Sequence, residues 1–378
     1  MLTRTDAILV AWTLAIKVGL GILGMVALWS VTGAVPGLFE PWHRWDAPHY
    51  TDIAVFGYMA HDPGTLSAPG YRQVHPGDLD LYIVFFPLFP WLVGAVDAVI
   101  AAPIASAFVV GSLASLFAAP MLYRLVAIDL GHRVAVRAAA FLLVFPTAYF
   151  LHIGYTESLF LALALGSLWL ARTNRWWAAG VLGGLAALTR INGLVLIPAL
   201  AVEAYLQWRE HRRVERQWLG IGLVAIGFAM YLGLNAIVYG DPLAFSEIQR
   251  DHWSKELAPP WVGIGGIMGW TGSPDPDTAL MLGWMELGFV ALGAVATVAT
   301  AARMRPTWTA WMAGNWLLIV STGFVMSVPR YSLVLFGIFA WAGVIADRWR
   351  AAGWLLGAAS LTAMTWLAWR FASGQWAF

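Results

Sequence analysis

Apolar runs long enough to cross a membrane recur along this chain, separated by short polar turns. They lie near residues 7–32, 104–124, 137–151, 156–172, 176–190, 191–207, 217–239, 280–302, 307–325, 330–347 and 351–371. A helix needs roughly 20 apolar residues to cross about 30 Å of hydrocarbon, so the shorter runs have soft boundaries. The stretch 82–101 is left out of the spans, because Pro87, Pro90, Asp97 and a high aromatic density suit a helix lying along the interface. The pattern predicts an all-α polytopic membrane protein of about 11 transmembrane helices, forming a single domain over residues 1–378 with no internal repeat. The first run is too long for a cleavable signal peptide and lacks a clear small-residue cleavage site.

Composition supports this class. Hydrophobic residues make up 60% and charged residues 11%, with a mean hydropathy of +0.70, which excludes a soluble globular domain of this length. The 23 Trp residues suit a membrane–water boundary, where indoles concentrate. Without cysteine there is no disulfide, thiolate nucleophile or Cys metal site. A net charge of +1 gives no reason to expect nucleic acid.

The distribution of charge orients the helices. Under the eleven-span reading, Arg4 and the turns holding Arg124, Arg133 and Arg137, Arg172 and Arg175, Arg209 to Arg216, Arg303 and Arg305, and Arg348 and Arg350 share one face. Arg44, Arg72, Arg190, Arg250, Lys255, Arg330 and Arg370 belong to the other, and Lys17 lies inside the first span. The positive-inside bias makes the Arg-rich face cytoplasmic, with the N-terminus inside. Both long loops, 33–103 and 240–279, then fall outside and are rich in Gly, Pro, Asp and Trp, whereas the inner turns are short and basic. Function is expected on that outer face.

Several polar side chains there suit chemistry on a lipid-borne substrate. Asp46 is a candidate general base for an attacking hydroxyl, or else a loop aspartate capping a short helix over Ala47–Tyr50. His43, Asp46 and His49 run at spacing three, which allows a metal site, although Pro48 disturbs the geometry and no fourth ligand is evident. Glu157 is either a site carboxylate near His152 and Tyr155 or a favourable charge at a helix start. Arg190, close to hydrocarbon, needs an anion. A lipid phosphate would supply one, and so would a carboxylate such as Glu157. Arg330 beside Tyr331 could grip phosphate or simply snorkel to the headgroups. Gln249, Arg250, His252 and Trp253 offer the amide and flat aromatic surface that a sugar uses, but would equally suit an interfacial loop. Gly263, Gly265, Gly266 and Gly269 do not match dinucleotide spacing and read as packing glycines.

Taken in order, these pieces resemble a known family. Trp45-Asp46-Ala47-Pro48-His49-Tyr50 with Ile53-Ala54 and Gly57-Tyr58 comes first, followed by Phe85-Phe86-Pro87-Leu88-Phe89-Pro90. Phe145-Pro146-Thr147, Tyr155-Thr156-Glu157-Ser158-Leu159-Phe160 and Leu188-Thr189-Arg190 with Gly193-Leu194 come next. Gly240-Asp241-Pro242-Leu243-Ala244-Phe245 with Gln249 and Trp253, then Pro329-Arg330-Tyr331, complete a series covering about residues 41–335. The set is similar to the GPI mannosyltransferase II (PIG-V-like) family.

That resemblance implies a GT-C fold, a polyprenyl-phosphate-mannose donor, a lipid or glycan acceptor, and inverting mannosyl transfer outside the cytoplasm. Asp46 would be the catalytic base. Arg190 and Arg330 would be donor-phosphate candidates, with His49, Tyr50, Glu157, Gln249, Trp253 and Tyr331 around the substrate. Where the family's Thr-Arg is usually followed by proline, this chain has Ile191. Its Arg-, Ala- and Trp-rich composition looks bacterial, so the GPI acceptor does not carry over and a plasma-membrane enzyme is expected. No cofactor or divalent metal is expected, because the donor phosphate already carries its charge. The alternatives are a flippase for a lipid-linked sugar, whose paired broken helices in repeated halves are not found, and a membrane scaffold.

Overall fold

The structure is a computed structural model that describes residues 3–58 and 79–378, and its regular elements there are all helical. Arg72 of the expected outer face and Gly64 in its first loop lie outside the described residues. Helix α1 (Arg4–Thr32) starts at a capping box in which the Asp6 amide donates to Thr3 and Asp6 accepts from the Thr3 amide. It ends at Gly33, whose φ of 69° makes the left-handed turn that favours glycine. The short α2 (Ala47–Phe56) and α3 (Leu88–Ile100) pack on each other and on α4 (Pro103–Leu143). At 13 residues, or about 20 Å, α3 is too short to cross about 30 Å of hydrocarbon unaided.

Helix α4 absorbs two expected elements. The runs 104–124 and 137–151 join in one 41-residue helix that breaks at Gly131, where φ is 79° and ψ 169°. The second run stops at Leu143, short of the expected 151, and Pro146 sits in the turn beyond it. From there to residue 156 the buried backbone runs through a 3-10 turn, Ala148–Leu151. Helices α5 (Glu157–Arg172), α6 (Trp176–Thr189), α7 (Leu196–His211) and α8 (Gly222–Tyr239) follow. Helices α6 and α8 meet backbone to backbone, since a Cβ on Gly227 would lie 2.1 Å from the Gly184 carbonyl oxygen. Such contacts drive association in lipid, where apolar burial alone cannot.

The second long loop segment, 240–279, holds α9 (Ala244–Trp253), α10 (Pro260–Trp270) and the single turn α11 (Pro276–Thr278). Then come α12 (Met285–Arg303), α13 (Pro306–Val320), α14 (Val328–Tyr331), α15 (Gly337–Arg348) and α16 (Arg350–Ala372). The expected span 330–347 is a broken one, bent by 77° between Val328–Val334 and Gly337–Arg348. Among the described residues six helices are long and apolar enough to cross a membrane, or seven with this bent pair, and α3 and α6 are shorter apolar helices.

Ion pairs fall into two sets, each drawn from residues of one expected face. One holds Asp6–Arg124, Asp129–Arg172, Glu203–Arg305 and Asp347–Arg137. The other holds Asp46–Arg330, Glu157–Arg330, Glu157–Arg190 and Asp277–Arg370. No pair joins a residue of one expected face to the other among the described residues. Orientation itself is open to measurement, and the absence of native thiols makes that clean. A single cysteine at Ser273 should react with an impermeant reagent outside intact cells, while one at His211 should stay silent. Outside labelling at His211 would reverse the assignment.

Candidate active site

Two irregular buried segments, 144–156 and 321–336, meet the Trp45–Tyr50 turn at the second set of ion pairs. Backbone outside a helix is tolerated at membrane depth only where protein buries it or where it lines a cavity, so these interruptions mark where the fold serves something other than crossing. Thr147 ties the two segments by donating to the Pro329 carbonyl at 2.8 Å. Glu286, fully buried on α12, accepts from the Ser327 and Val328 amides at 2.6 and 2.7 Å and so anchors the start of α14. Ser327 has a φ of 69°, a left-handed turn that aims Pro329–Tyr331 back toward Asp46.

Asp46 does not cap α2. Although it sits at the N-cap, its side chain makes no capping bond, and its Oδ2 accepts from Arg330 Nη1 at 2.6 Å. The Tyr155 hydroxyl holds the turn in place, donating to the Arg44 carbonyl at 2.6 Å and accepting from the Asp46 amide at 3.2 Å. Arg330 also donates through Nε to Glu157 Oε1 at 2.6 Å, and its guanidinium stacks 4.7 Å from the ring centres of Phe150 and Tyr155. Arg190 Nη1 reaches the same Glu157 oxygen at 2.6 Å and Thr156 Oγ1 at 2.8 Å. Arg190 therefore pairs with Glu157, as one of its readings expected. The result is a chain of alternating charge, Asp46–Arg330–Glu157–Arg190.

The network borders a cavity of about 490 Å³. Asp46, Tyr50, Arg190, Gln249, Trp253, Arg330 and Tyr331 line it, as do Trp45 and Trp376, whose rings meet edge to face at 5.1 Å. Two expected residues stand behind the wall. Glu157 is 3% exposed and supports both arginines, while the His49 ring packs on Tyr82 and Phe85 at 4.4 and 4.9 Å. The His43–Asp46–His49 spacing does not converge on one point, and no group of three metal-binding side chains occurs among the described residues. Burial holds the His43 imidazole down to about 4, so it is neutral at physiological pH.

Both carboxylates of the network leave one oxygen without a partner, but Glu157 Oε2 is buried whereas Asp46 lines the cavity. The Asp46 side chain is 34% exposed, and Oδ1 has no partner among the described residues. Burial pushes its pKa up, but the Arg330 guanidinium outweighs that, with smaller pulls from His49 and Lys255, and the net direction is below the ordinary aspartate range. The group is ionised at neutral pH.

Comparison with known proteins places this architecture. Residues 75–235 match the family model described as dolichyl-phosphate-mannose-protein mannosyltransferase. The chain is 31% identical over 180 residues to GPI alpha-1,6-mannosyltransferase 2 of Cricetulus griseus, and equally so to that of Rattus norvegicus. Those alignments cover 44% of this chain and 32% of each relative, so the match spans about a third of their length. Among solved structures, ArnT from Cupriavidus metallidurans bound to undecaprenyl phosphate superposes with a TM-score of 0.54. It is 17% identical and covers 94% of this chain and 63% of its own. The fold is GT-C. In sequence, part of the chain is similar to GPI alpha-1,6-mannosyltransferase 2.

One cavity residue of the GT-C protein escaped the sequence reading. Lys255 follows Ser254, whose φ of 53° turns the chain back after α9. Its Nζ lies 3.2 Å from the Tyr331 hydroxyl and 5.2 Å from that ring's centre. Arg190 faces the same ring at 5.3 Å, so Tyr331 is flanked by two cations. Lys255 has no carboxylate partner among the described residues. Its local sequence, between Ser254 and Glu256 in a mixed-charge loop, gave no signal, because a solvated loop lysine reads the same way.

Removing Arg330 leaves Asp46 without a counter-ion and takes from Glu157 one of its two. Arg330→Ala is therefore expected to cost about 3–5 kcal/mol of stability, the scale for breaking a buried pair from one side. Thermal midpoints in detergent test this, with Arg330→Lys recovering only part because an ammonium cannot serve both carboxylates in fork geometry. An alanine variant that melts like the parent would show that the network carries no structural load.

Proposed function

We propose that this protein transfers mannose from a polyprenyl-phosphate-mannose donor to a lipid or glycan acceptor on the extracytoplasmic face of a bacterial plasma membrane. The observation that carries the reading is the Asp46 carboxylate, anchored through one oxygen and open to the cavity through the other. The mannosyltransferase descriptions of the matched family and relatives support the sugar. ArnT, solved with undecaprenyl phosphate, supports a polyprenyl-phosphate carrier.

The placement of the cations suits that donor, whose phosphodiester carries one negative charge. Asp46 and Glu157 are held by Arg190 and Arg330, while Lys255 makes no ion pair with them or with the exposed Glu256 beside it. Lys255 is the cation without a carboxylate, so it contacts the phosphate first, with the Tyr331 hydroxyl and the remaining N–H groups of Arg190 beside it. Arg330 acts differently: it is 5% exposed, holds two carboxylates, and positions Asp46. Trp253, Gln249 and Tyr50 supply aromatic faces and hydrogen bonds for the sugar.

In the reaction, Asp46 Oδ1 takes the acceptor's hydroxyl proton as that oxygen attacks the anomeric carbon. The bond from carbon to phosphate oxygen breaks, and the polyprenyl phosphate leaves with the electron pair. Glu157 is buried against both arginines and cannot reach the sugar as a nucleophile, so a single displacement with inversion follows. The chemistry calls for no metal, and transfer should survive exhaustive EDTA treatment. Loss restored by added Mn²⁺ or Mg²⁺ would show that a metal is needed.

Asp46→Asn keeps shape and hydrogen bonding but removes basicity. It is expected to lower turnover about 10²–10⁴-fold with donor binding retained. Glu256 also lines the cavity, and Glu256→Gln is the control that should leave turnover near normal. A folded Asp46→Asn variant with parental turnover would end the base assignment. Because the folded-state pKa of Asp46 is lowered, its charge and its pairing with Arg330 are intact above the ordinary value of 3.8 and fade only as pH falls through the lower one. The pH profile of kcat/KM should then show no acidic limb from this group above 3.8. Lys255→Met should raise the donor KM roughly 10–100-fold, the scale of one charge-assisted contact, with less effect on kcat. An unchanged donor KM would move the phosphate site elsewhere.

A further inference from the structure

A second cavity, of about 550 Å³, lies between α1, α4 and residues 38–42, and the transfer reaction does not use it. Its walls are almost wholly apolar, and it opens sideways past Val18, Ile22, Leu38 and Leu113, each more than half exposed on the lipid-facing surface. Phe39 and Phe108, with ring centres 4.5 Å apart, form part of its lining. Three polar side chains line it: Lys17, Ser112 and His152. Lys17 lies 15 residues before the end of α1, about 22 Å below that end. Its Nζ spends one donor on the His152 carbonyl at 2.8 Å. The His152 side chain is 3% exposed, and neither ring nitrogen has a hydrogen-bond partner.

An ammonium at this depth is costly unless something completes it. We propose that this cavity binds a single-chain membrane lipid with a carboxylic acid head, its chain in the apolar groove and its head against Lys17 and Ser112. Charge and donor counts favour this head. Lys17 carries one positive charge and has two free N–H donors, and Ser112 has one O–H donor. Ionised, a carboxyl matches the Lys17 charge and accepts from both side chains. A phosphate head brings more oxygens and more charge than these groups can satisfy. A carboxylic acid can also enter the hydrocarbon in its neutral form, which a phosphodiester cannot. The head would touch the segment whose Tyr155 holds the Asp46 turn, so occupancy is placed to influence the active site without being part of it.

The test uses the full-length protein in lipid nanodiscs and a photoreactive analogue of palmitic acid, with labelled peptides mapped by mass spectrometry. Labels are expected on α1 around Val18–Met25 and on α4 around Phe108–Leu113, displaced by palmitate and not by methyl palmitate. Lys17→Met should cut this labelling about tenfold or more, the effect of losing a charge-assisted hydrogen bond, and Ser112→Ala should cut it by less. Val18→Trp fills the open groove from a lipid-exposed position and should block labelling even if the polar variants fail to fold. Equal displacement by the methyl ester, or labelling unchanged in Val18→Trp, overturns the site. Displacement by a lysophosphatidic acid at much lower concentration than palmitate overturns the carboxylic acid assignment.

Discussion

Arg330 holds the candidate active site of this protein together. A single guanidinium, 5% exposed, joins a carboxylate from the first loop to one at the start of α5, parts of the chain more than a hundred residues apart. A cation buried there is stable only if its charge and donors are met, and two carboxylates and two aromatic faces meet them. The constraint works in the other direction as well. Asp46 and Glu157 cannot both remain ionised near one cavity without Arg330 between them, and Glu157 then needs Arg190 to absorb its second share of charge. The site is therefore one electrostatic unit whose members fix one another's protonation.

That unit dictates the irregular parts of the fold. To bring Arg330 beneath Asp46, the span near residues 330–347 has to break, and the broken backbone exposes amides that hydrocarbon cannot solvate. Glu286 takes two of them, and the Trp311 indole donates to the Val334 carbonyl at 2.8 Å. The segment 144–156 is freed in the same way by the early end of α4, and the Thr147–Pro329 bond locks the two breaks together. Regular helices supply the frame. The functional geometry comes from the two places where the helical pattern is given up and each stray polar group is answered by a neighbour.

Legibility in the sequence follows that division. Helices that run through the bilayer bury apolar side chains all round, so α1, α8, α12 and α16 could be read from composition alone, within a few residues at each end. The breaks were harder, because Phe145-Pro146-Thr147 and Val328-Pro329-Arg330 are apolar enough to merge into their neighbouring spans. Asp46, Arg190 and Arg330 were visible as charges in the wrong solvent, yet their mutual pairing was not, since it joins residues whose proximity only the tertiary fold creates. Lys255 was missed because a charge in a polar loop is unremarkable until the loop folds over a cavity. Glu286 was legible in principle: a lone acid in an otherwise apolar span requires a partner.

The depressed pKa of Asp46 is in tension with the base role proposed for it, since a carboxylate held by an arginine is a weak proton acceptor. Charge flow through the network resolves the conflict. At rest, Arg330 keeps Asp46 ionised and aimed, which a base needs before any reaction begins. In the proposed transfer, Asp46 would lose its charge as the acceptor's proton reached Oδ1, leaving Arg330 one less anion to balance. At that same moment the departing phosphate would gain a second negative charge. The positive field released by Asp46 would then be available as the leaving group needs it, with total charge in the cavity conserved across the step. A stronger, unpaired base would accept the proton more readily but would leave no such field behind. On the proposed mechanism the Asp46–Arg330 bond weakens the base and couples proton removal to phosphate departure, the kind of preorganised electrostatic stabilisation that a low-dielectric site makes most effective.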